Sequence, residues 1–133
     1  MNGCVGFFDI DGLEAINDCF GHSAGDATIR MVVGSIRSLM RAEDLIYRWG
    51  GDEFFVIMVS MDAEMAEVRM TRLENLLRGV KVDGIDELID IKVSWGFTDF
   101  DSIDKLEQAI ASADQNMYKR KRNRKDLTSL DLE

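Results

Sequence analysis

The feature that most constrains the fold is a pair of glycines between two short apolar runs. Residues 45–49 and 55–59 are rich in β-forming side chains, and Gly50-Gly51 lies between them. Two such runs joined by a glycine turn predict a β-hairpin, whose strands are antiparallel. The segments on either side have helical periodicity, and helical crossovers permit parallel strand pairs. The sequence therefore predicts an α/β fold in which a mixed central β-sheet is flanked by helices.

Periodicity along the rest of the chain predicts the other elements. The run at 4–10 predicts a buried strand, and Asp11 with Glu14 has the spacing of a capping box that begins a short helix ending near Cys19. Residues 89–96 alternate between apolar and polar types, which predicts a half-buried strand. Amphipathic helices are predicted at 24–41, 63–77 and 103–121.

Length and charge restrict the class of protein. The chain has 133 residues and a formal charge of −9, so we expect residues 1–133 to form a single domain. An acidic surface argues against binding a nucleic-acid polymer. No apolar run approaches the roughly 18 residues of a membrane span, and the start lacks a secretory signal. With only Cys4 and Cys19 as thiols, a cytoplasmic setting is expected, whether or not a parent protein is anchored to a membrane.

The basic residues are unevenly distributed. One interpretation of their clustering near the C-terminus is a solvated helix end whose cations complement the helix dipole. The other is a site that binds phosphate groups, and composition leaves both interpretations open. Six of the 16 basic residues lie within seven positions, namely Lys119, Arg120, Lys121, Arg122, Arg124 and Lys125.

Acidic residues lie at two predicted chain reversals. Asp9 is near the end of the first strand, while Asp52 and Glu53 follow the glycine pair of the hairpin. Carboxylates and main-chain carbonyl oxygens are the ligands that magnesium prefers, and the ion commonly shares its coordination with substrate phosphates. The alternative is that Asp11 caps a helix and that the hairpin acids are exposed turn residues. Spacing alone does not decide between these interpretations.

An ordered set of motifs resembles the GGDEF family of diguanylate cyclases. The resemblance covers nearly the whole chain and implies the palm-like fold of nucleotidyl cyclases. Because the segment that normally precedes the first strand in this family is missing, we expect one GGDEF domain that belongs to a longer bacterial signalling protein. The matching motifs are AspIleAsp at 9–11, IleAsnAsp at 16–18, GlyHisSerAlaGlyAsp at 21–26, ArgTrpGlyGlyAspGluPhe at 48–54, SerTrpGly at 94–96 and AlaAspGlnAsnMetTyrLysArgLys at 113–121.

The resemblance also implies roles for individual residues. Asp9, Asp52 and the carbonyl of Ile10 would bind catalytic magnesium or manganese, and Asp52 and Glu53 would be the catalytic carboxylates. The remaining roles are guanine recognition by Asn17 and Asp26, phosphate binding by Lys121 and Lys125, further substrate binding by Gly12 and Leu13, and an inhibitory product site at Arg41, Asp44 and Arg72.

The implied reaction joins two GTP molecules into cyclic di-GMP, a second messenger that also acts as product inhibitor. Each domain would hold one GTP, so a homodimer is expected, with a sensor or phosphodiesterase domain elsewhere in the parent chain. Leu13-Glu14 stands where the family usually has Phe-Lys, and a carboxylate repels phosphates. A second hypothesis is therefore a catalytically weak module that binds GTP or cyclic di-GMP and regulates a neighbouring domain. A third is a domain that accepts a phosphoryl group on an aspartate.

Overall fold

Four strands and four main helices make up the computed structural model, which describes the backbone of residues 2–131 and the side chains of residues 2–122. Most predicted elements are found close to their expected positions. In chain order they are β1 (Gly3–Asp11), α1 (Leu13–Phe20), α2 (His22–Ser38), β2 (Leu45–Arg48), β3 (Glu53–Val59), α3 (Ala63–Leu76), β4 (Lys92–Phe100), a 3-10 turn (Ile103–Lys105) and α4 (Leu106–Asp131).

The sheet has the strand order β2-β3-β1-β4, and each of its three pairings is antiparallel. The α/β fold with flanking helices is confirmed, but the expected parallel neighbours are not found in the described sheet. Strands β1 and β2 run in the same direction across their helical connection, yet β3 lies between them. In the same way β1 separates β3 from β4. Each helical crossover therefore skips one strand, which leaves only antiparallel neighbours.

Helices cover both faces of the sheet. On one face Phe8 and Phe54 belong to the larger core, together with Ile36 of α2 and Leu73 of α3. On the other face Val5, Phe7 and Phe100 pack with Ala109, Ala113 and Met117 of α4. The apolar faces predicted for α2 and α4 thus pack in the two cores. For α3 the predicted face is only partly correct, because Met65, Val68 and Leu76 belong to its apolar pattern and are exposed, whereas Ala66, Met70 and Leu73 are buried.

Strand β4 is buried on both faces, so the half-buried prediction is wrong. Val93, Trp95 and Phe97 belong to the larger core. On the opposite face a Cβ placed at Gly96 would lie 2.3 Å from the backbone nitrogen of Met117. Helix α4 packs directly on this strand, and a glycine makes that close approach possible.

The turn from β1 into α1 also differs from the prediction. Gly12 occupies the N-cap position of α1 with φ of 76°, and no side chain caps the helix. Glycine adopts this left-handed conformation readily, so the chain reverses within one residue without help from a carboxylate. Asp11 instead accepts a hydrogen bond from the Ser94 hydroxyl. The predicted Asp11–Glu14 capping box is therefore wrong.

Three further observations bear on the predictions. The basic cluster lies within α4, which continues to Asp131, so the helix-end interpretation is wrong. Cys4 and Cys19 are both free thiols. Within the described part of the chain, no helix is both long enough and apolar enough to cross a membrane.

Candidate active site

The end of β1 and the turn before β3 meet at one edge of the sheet. Asp9 pairs with Glu53 in the β1–β3 register, and the amide of Ile10 donates a hydrogen bond to the carbonyl of Asp52 at 3.0 Å. Asp9 is only 5% exposed, whereas Asp52 and Glu53 are half-buried. The structure therefore brings together the four residues that were expected to bind metal or act in catalysis.

The hairpin turn is held by a residue to which the sequence assigned no role. The Arg48 guanidinium donates hydrogen bonds to the carbonyl oxygens of Gly50 at 3.2 Å and Gly51 at 2.8 Å. The amides of Trp49 and Gly50 donate to the carbonyl of Glu53 at 2.9 and 3.3 Å. Arg48 thus shapes the turn that carries Asp52. The signal in the sequence was its place at the start of the ArgTrpGlyGlyAspGluPhe motif, two residues before the glycine pair.

Lys121 of α4 reaches this edge of the sheet and contacts Asp9. Its ammonium group donates a hydrogen bond to Oδ2 of Asp9 and lies 3.7 Å from Oδ1 of Asp11. The other oxygen of Asp9, Oδ1, is buried and has no hydrogen-bond partner among the described residues. Lys121 was expected at the phosphates, and the structure places it on a predicted metal ligand. Lys125 lies outside the residues whose side chains are described.

The carboxylates of this edge have shifted pKa values. Burial raises the pKa of Asp9 to about 6, and the nearby charge of Asp52 acts in the same direction, although the Lys121 hydrogen bond opposes it. Burial and the charges of Asp114 and Asp52 raise the pKa of Glu53. Burial alone would lower the pKa of Lys121, but its hydrogen bond to Asp9 and the acidic groups around it raise that pKa. The site is thus an acidic pocket in which one ammonium offsets part of the negative charge.

A buried hydroxyl supports Asp11 beside this pocket. The Ser94 hydroxyl lies 2.9 and 3.2 Å from the two carboxylate oxygens of Asp11 and is fully buried. Ser94 faces Asp9 in the β1–β4 register, on the side of the sheet that α4 covers. Neither Asp11 nor Ser94 was predicted to act here, although both lie in motifs that the sequence singled out.

The oxygen donors of Asp9 and Asp52 are chemically suited to bind a divalent cation. The buried, unpaired Oδ1 of Asp9 and the neighbouring Asp52 carboxylate are hard oxygen donors of the kind that magnesium takes. No group of three His, Cys, Asp or Glu side chains suited to a metal is found within residues 2–122. Among the described residues, Asp9 and Asp52 supply two carboxylates, and magnesium commonly binds one or two when waters and substrate phosphates complete its shell.

The two residues expected to recognise guanine come from neighbouring helices. A Cβ placed at Gly25 of α2 would lie 1.7 Å from Oδ1 of Asn17 on α1, so only glycine leaves room for this amide. Asp26 follows directly and is exposed. The structure thus places the Asn17 amide against Gly25, the residue that precedes Asp26.

Gly12 and Leu13, which were expected to bind substrate, lie where α1 begins. Gly12 is exposed, whereas the Leu13 side chain is buried in the core. Only the backbone of Leu13 is therefore suited to meet a ligand. Backbone amides at a helix N-terminus are suitable donors to an anion. Glu14 is exposed in this first turn, where its negative charge opposes such binding.

The residues expected to form the inhibitory site are divided between two places. Arg41 donates to Asp44 through Nε at 3.2 Å and Nη2 at 2.8 Å, and Asp44 is 3% exposed. The backbone amide of Asp44 also bonds to the Arg41 carbonyl, so this pair closes a turn beyond the end of α2. Arg72 instead lines a groove of about 570 Å³ between α2 and α3, together with Met40 and Arg69.

Comparison with known proteins finds diguanylate cyclases both as a matching family and as individual relatives. The family described as diguanylate cyclase, GGDEF domain, matches residues 2–127. Diguanylate cyclase DgcP of Pseudomonas aeruginosa is 34% identical over 118 residues, which cover 89% of this chain and 18% of that protein. Diguanylate cyclase A of Treponema denticola is 30% identical over 125 residues, which cover 92% of this chain and 33% of that protein. The chain thus spans a third or less of the length of these relatives.

Solved structures share the fold. The GGDEF domain of DgcB from Caulobacter crescentus, in complex with c-di-GMP, superposes with a TM-score of 0.82 at 27% identity, covering 92% of this chain and 73% of that chain. The GGDEF domain of YfiN from Pseudomonas aeruginosa gives a TM-score of 0.81 at 28% identity, covering 92% of this chain and 77% of that chain.

Proposed function

The chain belongs to the GGDEF family of diguanylate cyclases, and from this premise we propose that it condenses two GTP molecules into cyclic di-GMP and two pyrophosphates. In each of two steps a 3′-hydroxyl oxygen bonds to the α-phosphorus of the other nucleotide. The bond from that phosphorus to pyrophosphate breaks, and the hydroxyl proton is released. The observation that carries the proposal is the buried Asp9 carboxylate, with one unpaired oxygen, held beside Asp52.

Asp9, Asp52 and the carbonyl of Ile10 would hold magnesium or manganese. Such an ion, when bound, lowers the pKa of the attacking hydroxyl and offsets negative charge on the phosphate. Asp52 serves both as a ligand and as a catalytic carboxylate. The bond between Ile10 and Asp52 keeps the segments that carry these ligands in register.

Glu53 is the residue proposed to handle the proton of the 3′-hydroxyl, with metal binding as its other possible role. It lies next to Asp52 and opposite Asp9 in the sheet. Burial and the neighbouring charges of Asp114 and Asp52 raise its pKa, which brings it closer to the range in which a carboxylate accepts a proton efficiently.

Guanine and phosphate recognition use different elements. The Asp26 carboxylate is suited to accept hydrogen bonds from the ring N–H and the exocyclic amine of guanine, a donor pair that adenine lacks. Asn17 supplies an amide at the same surface, next to Gly25. The phosphates would meet Lys121, Lys125 and the backbone of Gly12 and Leu13, where α1 begins without a side-chain cap.

Turnover needs two copies of the domain, because each holds one GTP and both hydroxyls must attack. We propose a homodimer in which the nucleotide sites face each other. Cyclic di-GMP would inhibit by binding near Arg41, Asp44 and Arg72. The last of these lines an open groove, whereas the partly exposed Arg41 already pairs with the buried carboxylate of Asp44.

Glu14 supports a second candidate function. It is exposed in the first turn of α1, where a negative charge weakens phosphate binding. A domain with this residue would hold GTP or cyclic di-GMP with little turnover and regulate a neighbouring domain.

Incubation with GTP and magnesium, followed by chromatography, tests these proposals. Free protein and protein dimerised through a fused coiled coil should be compared. Cyclic di-GMP formation that increases on dimerisation supports the cyclase. Binding of GTP without product in either form supports the regulatory module. Failure of both forms to bind GTP would contradict the cyclase, and failure to bind cyclic di-GMP as well would contradict the regulatory module.

A further inference from the structure

The contact between Lys121 and Asp9 occupies a carboxylate that the proposed function gives to a metal ion. The lysine side chain is 22% exposed and the Asp9 side chain 7% exposed, so water screens this ion pair only in part. A divalent cation on Asp9 would lie close to the ammonium group and repel it. The two cations therefore compete for one carboxylate.

A second carboxylate is within reach of the same ammonium group. Asp11 already forms a longer ion pair with Lys121, at 3.7 Å from its nitrogen, so the ammonium can move fully onto Asp11 without a change in the backbone. The lysine stem has four flexible carbons, which allow the ammonium to shift between adjacent partners. The Ser94 hydroxyl, fixed in the sheet, donates to Asp11 and restricts the orientation of its carboxylate.

We propose that Lys121 occupies the metal carboxylate Asp9 in the metal-free domain, and that Asp11, oriented by Ser94, is the positioning residue that receives the ammonium group when a divalent cation binds. This inference rests on the proposed function for the location of the metal site. In the bound state Lys121 remains at the same edge of the sheet, where it can meet the phosphates of the nucleotide.

The arrangement couples metal binding to nucleotide binding. Phosphates that attract Lys121 away from Asp9 remove a competitor of the metal. A metal on Asp9 in turn releases the ammonium group toward the phosphates. Because such coupling is reciprocal, nucleotide should tighten metal binding by the same factor as metal tightens nucleotide binding. Without nucleotide, the intramolecular lysine keeps metal affinity low.

The test is a titration of the full chain with Mn²⁺ in the absence of nucleotide, with free ion measured by electron paramagnetic resonance. Lys121→Gln should bind Mn²⁺ at least about fivefold more tightly than the natural protein. The substitution removes the ammonium group that competes with the cation for the partly buried Asp9 carboxylate. Lys119→Gln is the matched control, since it removes the same charge from an exposed position on the same helix. It should change Mn²⁺ affinity by less than about twofold.

The role of Asp11 is tested by substituting it in the natural protein and in the Lys121→Gln variant. Asp11→Asn should weaken Mn²⁺ binding about two- to fivefold when Lys121 is present, because the displaced ammonium loses its receiving carboxylate. In the Lys121→Gln background the same change should have little effect. Ser94→Ala should act in the same direction as Asp11→Asn, and its small size change keeps the fold intact.

Two results would overturn the inference. One is an unchanged Mn²⁺ affinity in Lys121→Gln, including the case in which no variant binds Mn²⁺. The other is an equal effect of Asp11→Asn in both backgrounds, since Asp11 would then act directly on the cation. The proposed function is judged separately by product formation. A protein that makes cyclic di-GMP but shows either result retains the function and loses the inference.

Discussion

The backbone amide of Ile10 donates a hydrogen bond to the carbonyl oxygen of Asp52 at 3.0 Å. This bond joins the end of β1 to the turn that begins β3, the two segments that carry Asp9 and Asp52. The separation of these carboxylates is therefore set by backbone structure rather than by flexible side chains. Groups held by rigid elements need little rearrangement when a ligand binds, which favours catalysis.

Gly25→Ala should weaken GTP binding by displacing Asn17. The new Cβ would lie 1.7 Å from Oδ1 of this side chain, so the amide must move. We expect a loss of GTP affinity of at least about tenfold, the effect of losing one hydrogen bond to a bound ligand. Calorimetric titration with GTP measures it.

Gly34→Ala provides the matched control on the same helix. A Cβ at Gly34 meets no atom within 4 Å, so nothing must shift. Alanine in the interior of a helix should raise the free energy of unfolding by about 0.5–1 kcal/mol and leave GTP affinity unchanged. Equal GTP affinity in Gly25→Ala and Gly34→Ala would contradict the role of Asn17.

Most helices and strands could be predicted from local sequence pattern, but the order of the strands in the sheet could not. Strand β1 and the apolar faces of α2 and α4 follow from hydrophobic periodicity, whereas the apolar pattern of α3 includes the exposed Met65 and Val68. The insertion of β3 between β1 and β2 depends on pairing between distant segments, which periodicity does not encode. The capping box failed because Gly12 reverses the chain by its own backbone conformation.

Glu14→Lys should strengthen nucleotide binding with little loss of stability. Because no capping box exists, the substitution costs only the favourable interaction of an acid with the helix N-terminus, about 0.3–1 kcal/mol. The change from negative to positive charge beside the phosphates should tighten GTP binding several-fold. GTP titration and thermal melting of both proteins measure these effects. Unaltered GTP affinity and turnover would show that Glu14 does not face the phosphates.

Arg41→Ala should destabilise the fold strongly. The substitution removes the guanidinium partner of Asp44, a carboxylate that is 3% exposed. Because the Arg41 side chain is partly exposed and its backbone amide still bonds to Asp44, loss of the guanidinium should cost about 1–3 kcal/mol. Urea unfolding gives this value, and a change below about 0.5 kcal/mol, the usual size for a surface substitution, would contradict it.

Product inhibition should therefore be tested at Arg72 rather than at Arg41. Arg72 is exposed and lines the groove between α2 and α3, so Arg72→Ala should change stability by no more than about 0.5 kcal/mol. If the groove binds cyclic di-GMP, this variant should bind it more weakly and escape inhibition. Equal binding by the natural protein and the variant would exclude Arg72 from such a site.

Cys4 should make the fold sensitive to high pH. Burial raises the pKa of Cys4 from 9.0 to about 12, with nearby Asp99, Asp44 and Asp62 adding to the effect. The folded state thus favours the neutral thiol, so this contribution to stability is complete below pH 9.0 and is lost as pH rises toward 12. Relative to Cys4→Ala, the natural protein should lose about 2 kcal/mol between pH 8 and pH 10.5. A pH-independent difference in unfolding free energy would contradict this expectation.

For the candidate site too, the sequence located single residues but did not show the contacts between residues that are far apart in the chain. Motif matching located Asp9, Asp52 and Glu53, because their positions at a strand end and a turn follow from local pattern. The contact of Lys121 with Asp9 joins residues 112 positions apart and requires α4 to pack across β4 and β1. Burial of the Asp44 carboxylate against Arg41 likewise emerges only from the packed structure.

The central claim is that the Asp9–Asp52 edge is the catalytic site for joining two GTP molecules. The most direct measurement is cyclic di-GMP and pyrophosphate formation by the dimerised protein with magnesium, compared between the natural chain and Asp52→Asn. Asp86→Asn, which neutralises an exposed acid before β4, is the matched control. We expect two pyrophosphates per cyclic di-GMP in the natural chain and in Asp86→Asn, and a loss of at least about a hundredfold in Asp52→Asn with its unfolding free energy nearly unchanged. Undiminished cyclic di-GMP formation by Asp52→Asn would contradict the claim.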